Sequence, residues 1–261
     1  MTLNDLLAQF GENQVAGFLL VLGRIGPLFA LAPLFSSKSI PARAKGVCAV
    51  ALTVGIAPIA LAGHAVPLEL GQFVELMLKE ILVGLAYAFA LMALFAAVAT
   101  AGSFLDTLIG FSYGALVDPV TGNQSAVLTQ TYILVGIMVL IAIGGDQLII
   151  RGVARSYELV PLLAMPSLTA LVAGAQSAFT QVFLSALELA APVVLAIVIT
   201  DAAFGVVSRV VPQLNVFAVG FPAKVGVGIL IIGVSLPFAA GWMADELQRS
   251  VATALQSIRP A

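Results

Sequence analysis

Charge is what this chain has least of. Only 9% of its 261 residues are Asp, Glu, Lys or Arg, where soluble domains carry about 25%. Hydrophobic residues make up 61%, and that balance places the chain in the membrane class. A formal net charge of -2, with no basic cluster among aromatics, excludes a nucleic-acid partner. A single cysteine, Cys48, rules out an internal disulfide and a cysteine metal site. Its apolar surroundings read as those of a small buried hydrophobe rather than a reactive thiol. A single histidine, His64, leaves no His-Glu or His-His spacing for a metal. No G-x-x-x-x-G-K-[S/T] run exists to cradle a nucleotide, and no cofactor is expected. Acidic Asp5 and Glu12 stand where a cleavable signal peptide carries basic residues, so the start is expected to be retained.

Long apolar runs take the place of what is missing. The run 81–105 has no charge, others cover 46–63, 119–145, 159–187 and 225–244, and 15–35 is interrupted only by Arg24. A helix needs roughly 20 apolar residues to cross the hydrocarbon core. The fold class is therefore all-α, a polytopic membrane protein of helical hairpins with about six apolar segments. No internal repeat and no linker stands out, so 1–261 is taken as one helical membrane unit.

The basic stretch 36–45 would face the cytoplasm by the positive-inside rule. Strict alternation then sends Arg151 and Arg155 to the other side, which speaks against six regular crossings. Residues 67–80 read as a polar connector, 161–201 as a hairpin or bent pair broken by Pro161, Pro166, Glu188 and Pro192, and 245–261 as an interfacial tail. Ala93, Ala97 and Ala101 form a ladder that either admits another helix closely or reflects plain composition. The chain's 13 prolines and 24 glycines are costly in lipid but tolerable where neighbouring chains re-satisfy the backbone. That points to a subunit of a larger assembly.

The stretch 102–125 breaks the pattern. Gly102, Gly110, Gly114, Gly122 and the Asp118-Pro119 pair make a continuous helix unexpected there. Yet it keeps Leu105, Ile109, Phe111, Tyr113, Leu116 and Val117, too apolar for a loop in water. Irregular backbone at membrane depth survives only against protein or along a cavity, so the reading is a loop folded back across a passage. Gly110-Phe111-Ser112-Tyr113-Gly114 spells a nucleophile elbow, but an elbow needs a strand before it, and His64 is the only histidine available to serve as base.

Charges inside or beside the apolar runs carry a second signal: Arg24, Glu80, Glu188, Asp201, Arg209 and Lys224. A lone charge at a helix centre costs at least about 2.5 kcal/mol. Such residues pair, within the chain or across a subunit boundary, serve as a relay, or snorkel. A relay would suit a polytopic small-solute or ion-coupled transporter, the alternative function.

Taken in order, four blocks resemble the FliR-type proteins of the type III export gate, flagellar and injectisome. They are Arg24 with Pro27, Pro33, Pro41 and Arg43; Lys79-Glu80-Ile81 with Gly84; Ala101-Gly102 through Asp106, Gly110-Phe111-Ser112, Asp118-Pro119 and Gln124-Ser125; and the run 209–224, ending Gly220-Phe221-Pro222-Ala223-Lys224. The wording of the last block is closer to the flagellar branch. The resemblance implies a non-enzymatic subunit of the bacterial inner membrane, within the flagellar basal body. It implies P-type and Q-type gate partners, contacts with the B-type switch subunit and the A-type export component, and unfolded export substrates. It further implies a plug loop, about 106–122, closing the conduit. In that loop Ile109, Phe111, Tyr113, Leu116 and Val117 would exclude ions while Gly110, Gly114 and Gly122 let it move. Asp106, Ser112, Asp118 and Pro119 belong to the same loop. Lys224 is expected to meet a carboxylate, on this chain or a neighbour.

Overall fold

Among the described residues the chain forms α-helices, one 3-10 turn and no strand. The structure, a computed structural model, describes residues 12–37, 40–61, 69–113, 126–213 and 215–258. In order the helices are α1 (Glu12–Leu31), α2 (Ala42–Ala60), α3 (Leu70–Ile109), α4 (Val127–Ala142), α5 (Gly145–Leu159), α6 (Leu168–Val210) and α7 (Val216–Ser257), with the 3-10 turn Phe111–Tyr113 after α3. Five are long and apolar enough to cross a membrane, and the broken pair of α4 and α5 makes a sixth if counted as one span. That agrees with the all-α reading of about six segments.

Contacts gather into two compact units. One comprises Met1–Ala93, Gly144–Phe179 and Leu247–Ala261, the other Leu94–Ile143 and Thr180–Glu246. In the first, α1 and α2 form a hairpin in which Gly17 meets Leu61. A Cβ on Gly84 of α3 would overlap the Arg24 carbonyl oxygen of α1, so only glycine permits that crossing. In the second, Val98, Ala101 and Leu105 of α3 pack with Leu128 and Tyr132 of α4, Leu189, Val193 and Ile197 of α6, and Met243 of α7.

Several sequence boundaries need correcting. The connector 67–80 is helical from Leu70 on, because the charges of Lys79 and Glu80 are neutralised inside the fold rather than by water. The stretch 161–201 is no hairpin: Pro161 and Pro166 lie in the turn ahead of α6, only Pro192 falls within it, and α6 runs unbroken for 43 residues. Helix also continues through Gly102, whose missing side chain is a contact point, and α3 ends only at Ile109. Residues 246–257 continue α7, one side of it packed against other helices. Leu247, Val251, Ala254 and Ile258, spaced along one helical face, are buried. Cys48 is exposed, since α2 offers most of its surface outward.

Candidate functional site

Buried charge in the first unit is gathered at one point. Arg24 Nε donates to Glu80 Oε2 at 2.5 Å and Nη2 to Oε1 at 2.9 Å, a two-pronged pair. Its remaining donors reach Ser156 Oγ at 3.1 Å and the Val160 carbonyl at 2.9 Å. The guanidinium also lies 3.9 Å from the Tyr157 ring centroid, and that tyrosine's hydroxyl donates to the Val21 carbonyl. Lys79 Nζ stands 2.5 Å from Glu80 Oε1 and donates to the carbonyls of Pro161 and Leu162. Side-chain exposure is 2% for Arg24, 3% for Lys79 and 0% for Glu80.

Two cations face one carboxylate here, and the carbonyls supply the rest. The last carbonyls of a helix lack intrahelical partners and carry its negative end. Val160 is the C-cap of α5, so Arg24 acts as its distant C-terminal cap, and Lys79 ties down the two carbonyls that follow. Lys79 has three donor positions and three acceptors, and an arginine does not release its proton. The cluster is an anchor, with its one carboxylate bound by both cations and four of the five guanidinium N–H groups hydrogen-bonded. Ser156 and Tyr157 were not singled out from the sequence, and Lys79 entered only as part of the connector and of a resembling block, not as a paired charge. The available signal was α5 itself, a polar helix with no basic residue in its last turn.

In the second unit, Asp106 sits in the last turns of α3 and is 3% exposed. Its carboxylate accepts the Leu128 and Thr129 amide N–H groups, each at 2.9 Å, and the Thr129 hydroxyl at 2.7 Å. Ile109 is 1% exposed and belongs to the apolar core, where Phe111 leans against it. Gly110 has φ of 106°, a left-handed conformation that favours glycine. Ser112 is exposed and lies within the 3-10 turn that comes after α3, with no strand before it, so the elbow's required context is absent. Gly114, Leu116, Val117, Asp118, Pro119 and Gly122, like His64, lie outside the described residues. Tyr113 closes the 3-10 turn.

The other embedded charges lie on α6 and α7. Lys224 Nζ is 2.5 Å from Asp201 Oδ1, with side chains 27% and 48% exposed. Glu188 is exposed and accepts the Trp242 indole N–H at 3.1 Å. Arg209 is exposed in the last turn of α6. Around them the surface is apolar: Leu195, Val198, Ile199, Val206, Ile229, Leu230 and Val234 are each more than half exposed.

Comparison with known proteins gives a consistent result. A family model described as "Bacterial export proteins, family 1" matches residues 15–250. The chain is 33% identical over 221 residues to the "Flagellar biosynthetic protein FliR" of Bacillus subtilis strain 168, covering 82% of this chain and 84% of that protein. It is 29% identical over 217 residues to the Escherichia coli K12 protein of the same name, covering 83% of each. It is also 29% identical over 222 residues to the "Surface presentation of antigens protein SpaR" of Shigella sonnei, covering 82% of this chain and 84% of that one.

Proposed function

Because the chain belongs to family 1 of the bacterial export proteins, we propose that it is a FliR-type, non-enzymatic subunit of the flagellar type III protein export gate in the bacterial inner membrane. In this reading it joins P-type and Q-type partners in a conduit for unfolded export substrates and contacts the B-type and A-type components. The connecting segment of about 106–122 helps close that conduit. Ile109 and Phe111 supply the apolar base of the closure, and Gly110 the point about which it moves. The family match speaks for export and against the small-solute transporter.

One structural observation supports assembly with other chains. The 43 residues of α6 and 42 of α7 correspond to about 64 Å and 63 Å of helix contour. A bilayer's hydrocarbon is about 30 Å thick. Large apolar residues are exposed along α6 from Leu168 to Val210, about twice the length lipid alone covers, whereas those of α7 from Val219 to Phe238 span about one bilayer core. Protein neighbours would account for the remainder.

Two measurements test the reading together. The chain purified from its native membrane should bring unlike, very apolar partners with it. Replacing Gly110–Tyr113 by a shorter flexible linker should leave that complex intact and raise the membrane's permeability to small ions. An intact complex with unchanged permeability would remove the plug from the proposal. Purification as a lone chain would remove the gate.

A further inference from the structure

We infer that Asp106 is a positioning residue: it locks the first turn of α4 onto the last turns of α3, so that displacement at this corner is taken up at Gly110. A helix leaves its first N–H groups without intrahelical partners, and the common remedy is Ser, Thr, Asp or Asn at the position just before it. That position is Ala126, and no side chain there caps the helix. The cap comes instead from Asp106, 22 residues before the Leu128 amide that it accepts. Both oxygens of Asp106 are engaged, one by the Leu128 amide, the other by the Thr129 amide and hydroxyl. The negative charge also suits a helix N-terminus. Leu128 is 6% exposed, so water is poorly placed to substitute.

A second contact lies on the same face. Gly102 stands one turn before Asp106, and a Cβ there would come within 2.5 Å of Thr129 Cα and 2.9 Å of its nitrogen. The two helix backbones therefore touch where the carboxylate bridges them. The other side of the corner has fewer bonds among the described residues. Among the described residues, Gly110 N–H makes one 3.2 Å bond to the Asp106 carbonyl, its φ is 106°, and Phe111 leans on the core. Entry into α4 is thus clamped by three side-chain bonds and a backbone contact, while among the described residues the end of α3 turns on one longer bond and a glycine in the left-handed region.

This inference uses the plug reading for one of its two readouts only. In the assembled complex, Asp106→Ala should speed hydrogen exchange at the Leu128 and Thr129 amides by about tenfold or more, equivalent to about 1.4 kcal/mol. It should also raise ion leak per assembled complex. Asp106→Asn keeps an acceptor for one amide and should produce a smaller change in both. A purely structural anchor would lower the amount of complex and leave the leak per complex unchanged. Unaltered exchange in Asp106→Ala would overturn the clamp, and faster exchange with unaltered leak would overturn its positioning role. If the Gly110–Tyr113 replacement also fails to leak, the plug reading is what has failed, and the exchange result still decides the clamp. Should Asp106→Ala not assemble, the same two measurements on Asp106→Asn decide.

Discussion

Arg24–Glu80 in the first unit and Lys224–Asp201 in the second are both 2.5 Å ion pairs on apolar helices. Their surroundings make them different objects. The first is closed on itself, with side chains at most 2% exposed and further donors bound to Ser156 and Val160. The second has side chains 27% and 48% exposed on a surface of uncovered Val, Leu and Ile. Geometry alone therefore does not tell what a charge in an apolar run is for. A fully enclosed pair is part of how its unit holds together. An open pair on a greasy face is incomplete until something covers it, and its worth depends on what that is.

The sharpest way to break this contrast is to remove one carboxylate from each pair. Glu80→Ala leaves Arg24 and Lys79 buried without a counter-charge, a change that costs about 3–5 kcal/mol. We expect little assembled complex in the membrane fraction and a markedly lower unfolding temperature for what remains. Asp201→Ala leaves Lys224 partly in solvent, and the isolated chain should lose no more than about 1 kcal/mol. Equal losses would mean that enclosure is not what separates the pairs.

Glycines extend the comparison at intermediate size. Gly84→Ala places a Cβ against the Arg24 carbonyl oxygen, a backbone atom that cannot turn aside, and overpacking of this kind costs about 1–3 kcal/mol. Gly233 in α7 has no atom within 4 Å of where its Cβ would be. Gly233→Ala should leave the isolated chain unchanged or stabilise it by up to about 1 kcal/mol through helix propensity. Thermal unfolding of both variants, alone and in the complex, makes the test. If Gly233→Ala weakens the complex but not the chain, that face is occupied by a neighbour.

The sequence was legible where composition alone decides, and less so where distant residues cooperate. Uncharged runs revealed the long apolar helices but not α5, whose Asp146, Arg151, Arg155 and Glu158 read as a charged connector. Arg24 and Glu80, 56 residues apart, were marked as charges in need of partners, but nothing in either segment names the other. Lys79 read as a connector residue because its compensation, the carbonyls of Pro161 and Leu162, lies 82 and 83 residues away. Proline position misled in the same manner, since Pro161 and Pro166 end a turn before α6 rather than break it. Gly102 looked like a helix breaker because a glycine that admits a neighbouring backbone has the same letter as one that ends a helix. The need for a distant cap at Ala126 was not readable, because Ser125 beside it is a capping residue by type and only the structure sets the helix start at Val127. Asp106, placed with the plug by resemblance, supplies that cap.

The smallest expected effect sharpens the comparison most. Exchanging the open pair, Lys224→Asp together with Asp201→Lys, retains both charges and reverses their direction. In the isolated chain the double variant should match the original, and each single reversal should cost about 1 kcal/mol or less, because solvent screens the pair. In the complex the outcome depends on what lies beyond the pair. If the two side chains answer only to each other, the exchange is neutral there as well, and their coupling in a double-mutant cycle grows as covering lowers the local dielectric. If either also meets a charge on a neighbour, the exchange brings like charges together and assembly falls although the internal pair is intact. A coupling energy unchanged between chain and complex would show that nothing covers this surface, and the open pair would then be complete as it stands.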